Sequence, residues 1–265
     1  MTLVAYVQGI GLSGPALNGW EESRDILAGK VSFVPQPTVV PIPAGLPPAE
    51  RRRMGAVVKL ALSVGLQACA QARVEPANLP AVFTSSGGDG PNCHEICQAL
   101  ATSDRQLSPT RFHNSVHNAA AGYWSIATGA KTPSNALCAH DASFTAGLLE
   151  AMTQVVIEHT TVLLVAYDAQ YPQPLFDKRP IPDAFGAAFV LSPHATSGAI
   201  ARLHLTIRTA PSDQVADAGL ERLRRTIPAA RSLPLLCQLA RRASALVRLD
   251  YLDDQTLAVD VQPCV

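Results

Sequence analysis

Residues able to do chemistry crowd most densely into residues 135–151, NALCAHDASFTAGLLEA, where Cys138, His140, Asp141 and Ser143 fall within a few positions. An apolar run passes directly into small residues that open a helix. Such a strand-to-helix elbow exposes one side chain at the positive end of a helix dipole, where the anion of a nucleophile is stabilised. The elbow residue here is Asp141. Aspartate is among the best N-cap residues, so its first reading is a cap accepting from the amides of Ala142 to Phe144. Its second is a carboxylate set in a pocket to act on substrate. Cys138, three residues earlier and inside the strand, reads as a packed thiol. His140, Asp141 and Ser143 do not make a hydrolytic triad, because triad members converge from separate segments and the Gly-x-Ser-x-Gly form is missing.

A second constellation is Cys93-x3-Cys97 followed fifteen residues later by His113-x3-His117, a spacing that resembles a zinc finger. The ligand types are right, but a chain with so large a core needs no metal to fold, and the reading adopted is that no metal is bound. The turn Gly87-Gly88-Asp89-Gly90 lacks the Lys-Ser/Thr ending of a phosphate loop. Arg51, Arg52 and Arg53 are expected to begin a helix, where the dipole disfavours cations. They read as a solvated helix end or a dock for an acidic partner, with Arg222, Arg224, Arg225, Arg241 and Arg242 as competing basic sites.

The elements that must position these residues follow from periodicity. Residues 3–12 alternate loosely and stop at Ser13-Gly14-Pro15, a first strand. Residues 35–48 hold six prolines and must be loop. Residues 49–72 carry a helical apolar period. A short buried strand at 80–84 feeds the glycine-rich turn, and helices are expected around 92–102 and 114–129. Residues 133–139 read as a central strand, 142–158 as a long helix packed on both sides. The runs 160–166 and 185–191 are near-continuously apolar, as in sheets covered on both faces. Strand and helix alternate, which predicts an α/β layered fold. Beyond residue 198 come a strand to 207, arginine-bearing helices within 213–245 and a hairpin ending near 261.

Composition supports a packed domain. The chain is 48% hydrophobic, 16% charged and formally neutral, with 21 basic and 21 acidic residues, which excludes disorder and a broadly basic nucleic-acid binder. With aromatics at only 5%, the core must come from Ala, Val, Leu and Ile. No stretch approaches a membrane span, the N-terminus lacks the basic region of a signal peptide, and the six cysteines read as reduced thiols, so a cytoplasmic protein is expected.

The elbow resembles the active-site elbow of β-ketoacyl synthases, condensing enzymes of the thiolase-like superfamily. Residues 108–122, SPTRFHNSVHNAAAG, are similar to the family's proline-aromatic loop and Asn-Ala-Gly helix. Lys131-Thr132-Pro133-Ser134 stands where the family has Gly-Pro-Ser, and 84–90 is similar to its glycine-rich turn. The matches run in the family's order over most of residues 1–195. Alignment on Glu150 and Ala151 puts Asp141 where the nucleophilic cysteine stands in the family, and aspartate cannot form an acyl thioester. After residue 195 the single histidine, His204, lacks the surroundings of either family histidine.

The resemblance therefore implies a thiolase-like α/β fold with a recognisable N-terminal half, 1–195, and a shortened, divergent C-terminal portion, 196–265, packed on the same core. The length implies fewer residues than two full ketosynthase halves. The resemblance also implies a non-catalytic subunit of the chain-length-factor type found in aryl polyene and type II polyketide systems. Such a subunit pairs with a full-length β-ketoacyl synthase, receives an acyl carrier protein with its phosphopantetheine-linked chain, and needs no cofactor. Arg111, Phe112 and His113 are the expected tunnel or interface residues, with Asp141 marking the disabled site. Two other readings stand beside it: an acyl-thioester decarboxylase or hydrolase using Asp141 and His140, and a homodimeric binding or scaffold protein.

Overall fold

The computed structural model describes residues 3–43 and 46–264; residues 44 and 45 of the expected proline-rich loop lie outside the described residues. The first strand, β1 (Leu3–Gly14), turns through β2 (Leu17–Asn18) into helix α1 (Trp20–Leu27). An irregular segment then leads to α2 (Pro48–Arg53) and α3 (Ala56–Ala72). The single helix expected over 49–72 is thus two. The break falls at Met54 and Gly55, where the Asp89 carboxylate packs so closely that a Cβ on residue 55 would lie 2.4 Å from its oxygen. Arg51, Arg52 and Arg53 consequently occupy the last turn of α2 rather than the start of a helix, where the dipole favours them.

The middle of the chain runs β3 (Ala81–Thr84), α4 (Gly90–Ala101), α5 (Pro109–His113), α6 (Ala119–Thr128), β4 (Ser134–Leu137), α7 (Ser143–Ile157), β5 (Val162–Asp168), α8 (Leu175–Lys178) and β6 (Phe185–Ser192). The rest is β7 (Ala201–Thr209), α9 (Ala218–Thr226), α10 (Leu233–Arg241) and the hairpin β8 (Ala245–Asp250)–β9 (Gln255–Pro263). Among the described residues the strands form one nine-stranded sheet ordered β4-β3-β5-β6-β1-β7-β9-β8, with β2 paired to β1. Only β3 with β4 and β3 with β5 are parallel. β4 is therefore an edge strand, partly exposed along its length, and not the central strand its apolar sequence predicts.

Period-two burial explains the near-continuous apolar runs. Val162, Leu164 and Ala166 of β5 point into one core, under α1, α7 and α10. Leu163, Val165 and Tyr167 point into the other, under α3 and α6. A strand covered on both faces has no polar side to show in its sequence. At the sheet centre α3 lies directly on β1: a Cβ at residue 11 would sit 1.8 Å from the Val64 carbonyl oxygen, so only glycine fits. Gln67 on the same helix accepts from the Leu12 amide at 3.1 Å, satisfying a donor in the buried strand.

Candidate functional site

The elbow lies between β4 and α7. Its turn closes on itself: the Ser143 hydroxyl donates to the His140 carbonyl at 2.7 Å and accepts from the Ala139 amide at 3.1 Å. His140 takes the left-handed conformation, with φ of 50°. These contacts commit Ser143 to the backbone and leave the His140 ring mostly in solvent, so no hydrolytic triad forms.

Asp141 does not cap α7. The N-cap position belongs to Ala142, and no side chain bonds the free amides there. The carboxylate turns away instead and joins two guanidinium groups from distant segments. Arg179 holds one oxygen, and Arg231 Nη2 holds the other at 3.1 Å. The pairing extends into the C-terminal portion. Arg231 also reaches Asp250 at 3.2 Å, Asp250 accepts from Arg224 at 2.6 Å, and Arg224 grips Glu221 at 2.8 Å. The Arg224 hydrogen bond holds the Glu221 carboxyl below its usual range. Arg224 is buried in this chain and cannot serve as the free basic dock its sequence suggests.

Beneath the elbow sits Asp168, fully enclosed at the end of β5. One oxygen accepts from the Ser86 amide at 2.8 Å and the Ser85 hydroxyl at 3.2 Å, the other from the Ala229 amide at 2.8 Å. Burial pushes its pKa up to about 7, against the opposing pull of these donors. The carboxylate thus ties the glycine-rich turn after β3 to the segment that carries Arg231. The same turn receives His117, whose Nε2 lies 3.0 Å from the Ser85 carbonyl. Cys138 also reaches it, donating to the Ser86 carbonyl at 3.1 Å; this thiol is exposed just beyond β4, not packed within it.

Beside the turn runs an apolar groove of about 510 Å³ lined by Gly87, Cys93, Cys97, Tyr171, Leu175 and Lys178, among others. A Cβ at residue 87 would meet Tyr171 Oη at 2.0 Å, so glycine keeps the tyrosine seated in the wall. Arg179, the partner of Asp141, lies over the same Tyr171 ring at 5.9 Å from its centroid, so groove and elbow share a wall. The helix along the groove is poorly covered: in α4 only Gly90 and Asn92 are buried.

Arg111, Phe112 and His113 form α5, whose residues are all unburied. Arg111 pairs with Glu95 at 3.3 Å, Phe112 is 66% exposed, and His113 packs edge-on to Tyr123. None of the three bonds Asp141; they join the site through α4, where Asn92 donates to the Arg111 carbonyl at 2.8 Å. Among the described residues no three His, Cys, Asp or Glu side chains gather to hold a metal. His117 is instead engaged with Ser85. Sequence reasoning missed Asp168, Arg179, Arg231 and Asp250, because each is an isolated charge whose role depends on partners far along the chain.

The layered sheet, the elbow and the glycine-rich turn define a thiolase-like protein of the ketosynthase kind. Residues 22–249 match the family described as β-ketoacyl synthase, N-terminal domain, and the chain belongs to that family. A search of the curated proteins finds no match. Solved structures resemble it end to end. A chain of the ketosynthase ApeO in complex with its chain length factor ApeC, from Xenorhabdus doucetiae, is 24% identical, with a TM-score of 0.75 over 97% of this chain and 99% of that one. The ishigamide ketosynthase/chain length factor gives 14% and 0.73 over 99% and 100%. A chain of the AntDE:AntF complex, a type II acyl-carrier protein with its ketosynthase, gives 10% and 0.74 over the whole of both chains. At these identities the likeness is one of fold. No helix among the described residues is long and apolar enough to cross a membrane.

Proposed function

We propose that this chain is a non-catalytic subunit of the chain-length-factor type, which pairs with an active β-ketoacyl synthase and shapes the acyl tunnel in polyene, polyketide or fatty-acid biosynthesis. The observation that carries the reading is the elbow itself. Asp141, which the sequence resemblance aligns with the family nucleophile, has both its oxygens committed to Arg179 and Arg231. A carboxylate so held neither attacks a thioester nor is free to accept a proton from substrate, whereas the apolar groove beside it suits a hydrocarbon chain.

The partner is a full-length ketosynthase seated over the edge strand β4, α4 and α5. An edge strand presents unpaired backbone groups, and α4 leaves most of its length uncovered, both features that a second subunit resolves. Arg111, Phe112 and His113 lie at that junction, and an acyl carrier protein delivers the phosphopantetheine-linked chain to the pair. Residues 196–265 are the reduced C-terminal portion packed on the same core, and they extend the sheet through β7, β9 and β8. The complex works in the cytoplasm. The likeness to chains from ketosynthase and chain-length-factor complexes supports the assignment.

Co-expression with an intact β-ketoacyl synthase from the same organism tests it. The two are expected to co-purify, with Phe112→Trp shifting product chain length. Failure to co-purify, together with product length indifferent to residue 112, overturns the proposal.

A further inference from the structure

Tyr171 belongs to two cavities at once. On one side it walls the apolar groove of about 510 Å³, and on the other it bounds a hollow of about 460 Å³ beside Pro91, Pro172 and Phe176. It is the one residue common to both linings among the described residues. We propose that the Tyr171 ring is the partition that ends the groove and fixes how far an acyl chain lying there extends. This rests on the chain-length-factor reading and names the residue that sets the length.

The ring is fixed from three directions. The Tyr171 amide donates to the Ile181 carbonyl at 3.1 Å, and Ile181 is fully buried, so the backbone is pinned to the core. The glycine-rich turn closes on the ring edge. A Cβ at residue 87 would meet the hydroxyl at 2.0 Å, and one at residue 90 would meet two ring carbons at 3.1 and 3.2 Å. Arg179 lies over the ring at 5.9 Å from its centroid and is itself held by Asp141. A tyrosine has only two side-chain torsions, and one packed on these sides is not free to swing out of the way. Beyond the ring the wall is looser, since Pro172 and Phe176 are half-buried and Gln170 and Gln173 are exposed.

Truncating a packed ring leaves a space that its neighbours only partly fill. Here that space lies between two hollows that already exist, so it joins them and nearly doubles the room open to a chain. Burying each further methylene favours the longer chain by about fourfold, and a two-carbon extension by more than about tenfold. Tyr171 therefore decides whether a growing chain stops at the glycine-rich turn or continues past Phe176.

Co-expression with the same β-ketoacyl synthase reads product length and co-purification together. Tyr171→Ala is expected to raise the product two carbons longer by about tenfold relative to the wild-type product. Tyr171→Leu, which keeps bulk in the core, should give a smaller shift and serves where Tyr171→Ala does not fold. Phe176→Trp narrows the second hollow. It should change nothing beside an intact Tyr171, and should return the Tyr171→Ala product toward wild-type length. A tyrosine that only supports the fold would show no such reversal. Variants that co-purify with the synthase but leave product length unchanged overturn the partition while the chain-length-factor reading stands. A shift that Phe176→Trp does not reverse overturns it too, as does loss of co-purification by both Tyr171 variants. A wild-type chain that never co-purifies overturns that reading and the partition with it.

Discussion

Asp141→Asn separates the two things a carboxylate can do at this elbow. Asparagine caps a helix as well as aspartate does, so a capping residue tolerates the exchange at almost no cost. It cannot form ion pairs with two guanidinium groups. The Asp141 side chain is 42% exposed, and those of Arg179 and Arg231 are 22% and 21% exposed. Hydrogen bonds to charged groups contribute about 1.5–3 kcal/mol when enclosed, and fully exposed pairs about 0–1 kcal/mol. A half-screened contact falls near 1 kcal/mol, so losing both costs about 2 kcal/mol. For a chain of this size that lowers Tm by about 4–8 °C. Urea unfolding at neutral pH should show the deficit at about 0.15 M salt and a smaller one at about 1 M, where the Debye length shrinks to about 3 Å. An unchanged midpoint sinks the clamp argument. So does a variant as stable as wild type that abolishes product formation by the co-expressed complex, because the carboxylate would then act on substrate.

Three further outcomes can be checked. Because the folded pKa of Asp168 is raised to about 7 from an ordinary value near 4, its contribution is fully present below pH about 4 and is lost as pH rises through 7. The loss amounts to at most about 4 kcal/mol, and Asp168→Asn should flatten that slope in a pH series of urea midpoints. Gly11→Ala drives a methyl against the Val64 carbonyl and should destabilise by about 3 kcal/mol in urea; a cost within about 0.5 kcal/mol contradicts the close packing of α3 on β1. Phe112→Ala, at a 66% exposed position, should leave the unfolding midpoint of the isolated chain within about 0.5 kcal/mol while weakening co-purification with the ketosynthase. Equal loss of both readouts means that Phe112 supports the fold and not the partner.

The layered class was legible because burial leaves its period in the sequence: residues 160–166 and 185–191 read as strands covered on two faces, and β5 and β6 are so covered. Order within the sheet was not. The stretch 133–139 is apolar enough for a central strand, but its place at the edge depends on which strands lie beside β3. The break before α3 was equally hidden, since Gly55 gives way to Asp89, a residue of another turn. Arg51, Arg52 and Arg53 were misplaced on the helix dipole for that reason alone.

The sequence by itself determined the strand-to-helix elbow, the Asp at its tip, the apolar runs of the sheet and the likeness to the ketosynthase family. These are local properties, carried by residue types at short spacing. Only the tertiary structure decided what the aspartate does. Its partners, Arg179 and Arg231, lie 38 and 90 residues away, and Asp168 meets the Ala229 amide across 61. Charges interact through space over a few ångströms, and no spacing along the chain records which of them the fold will bring to that distance.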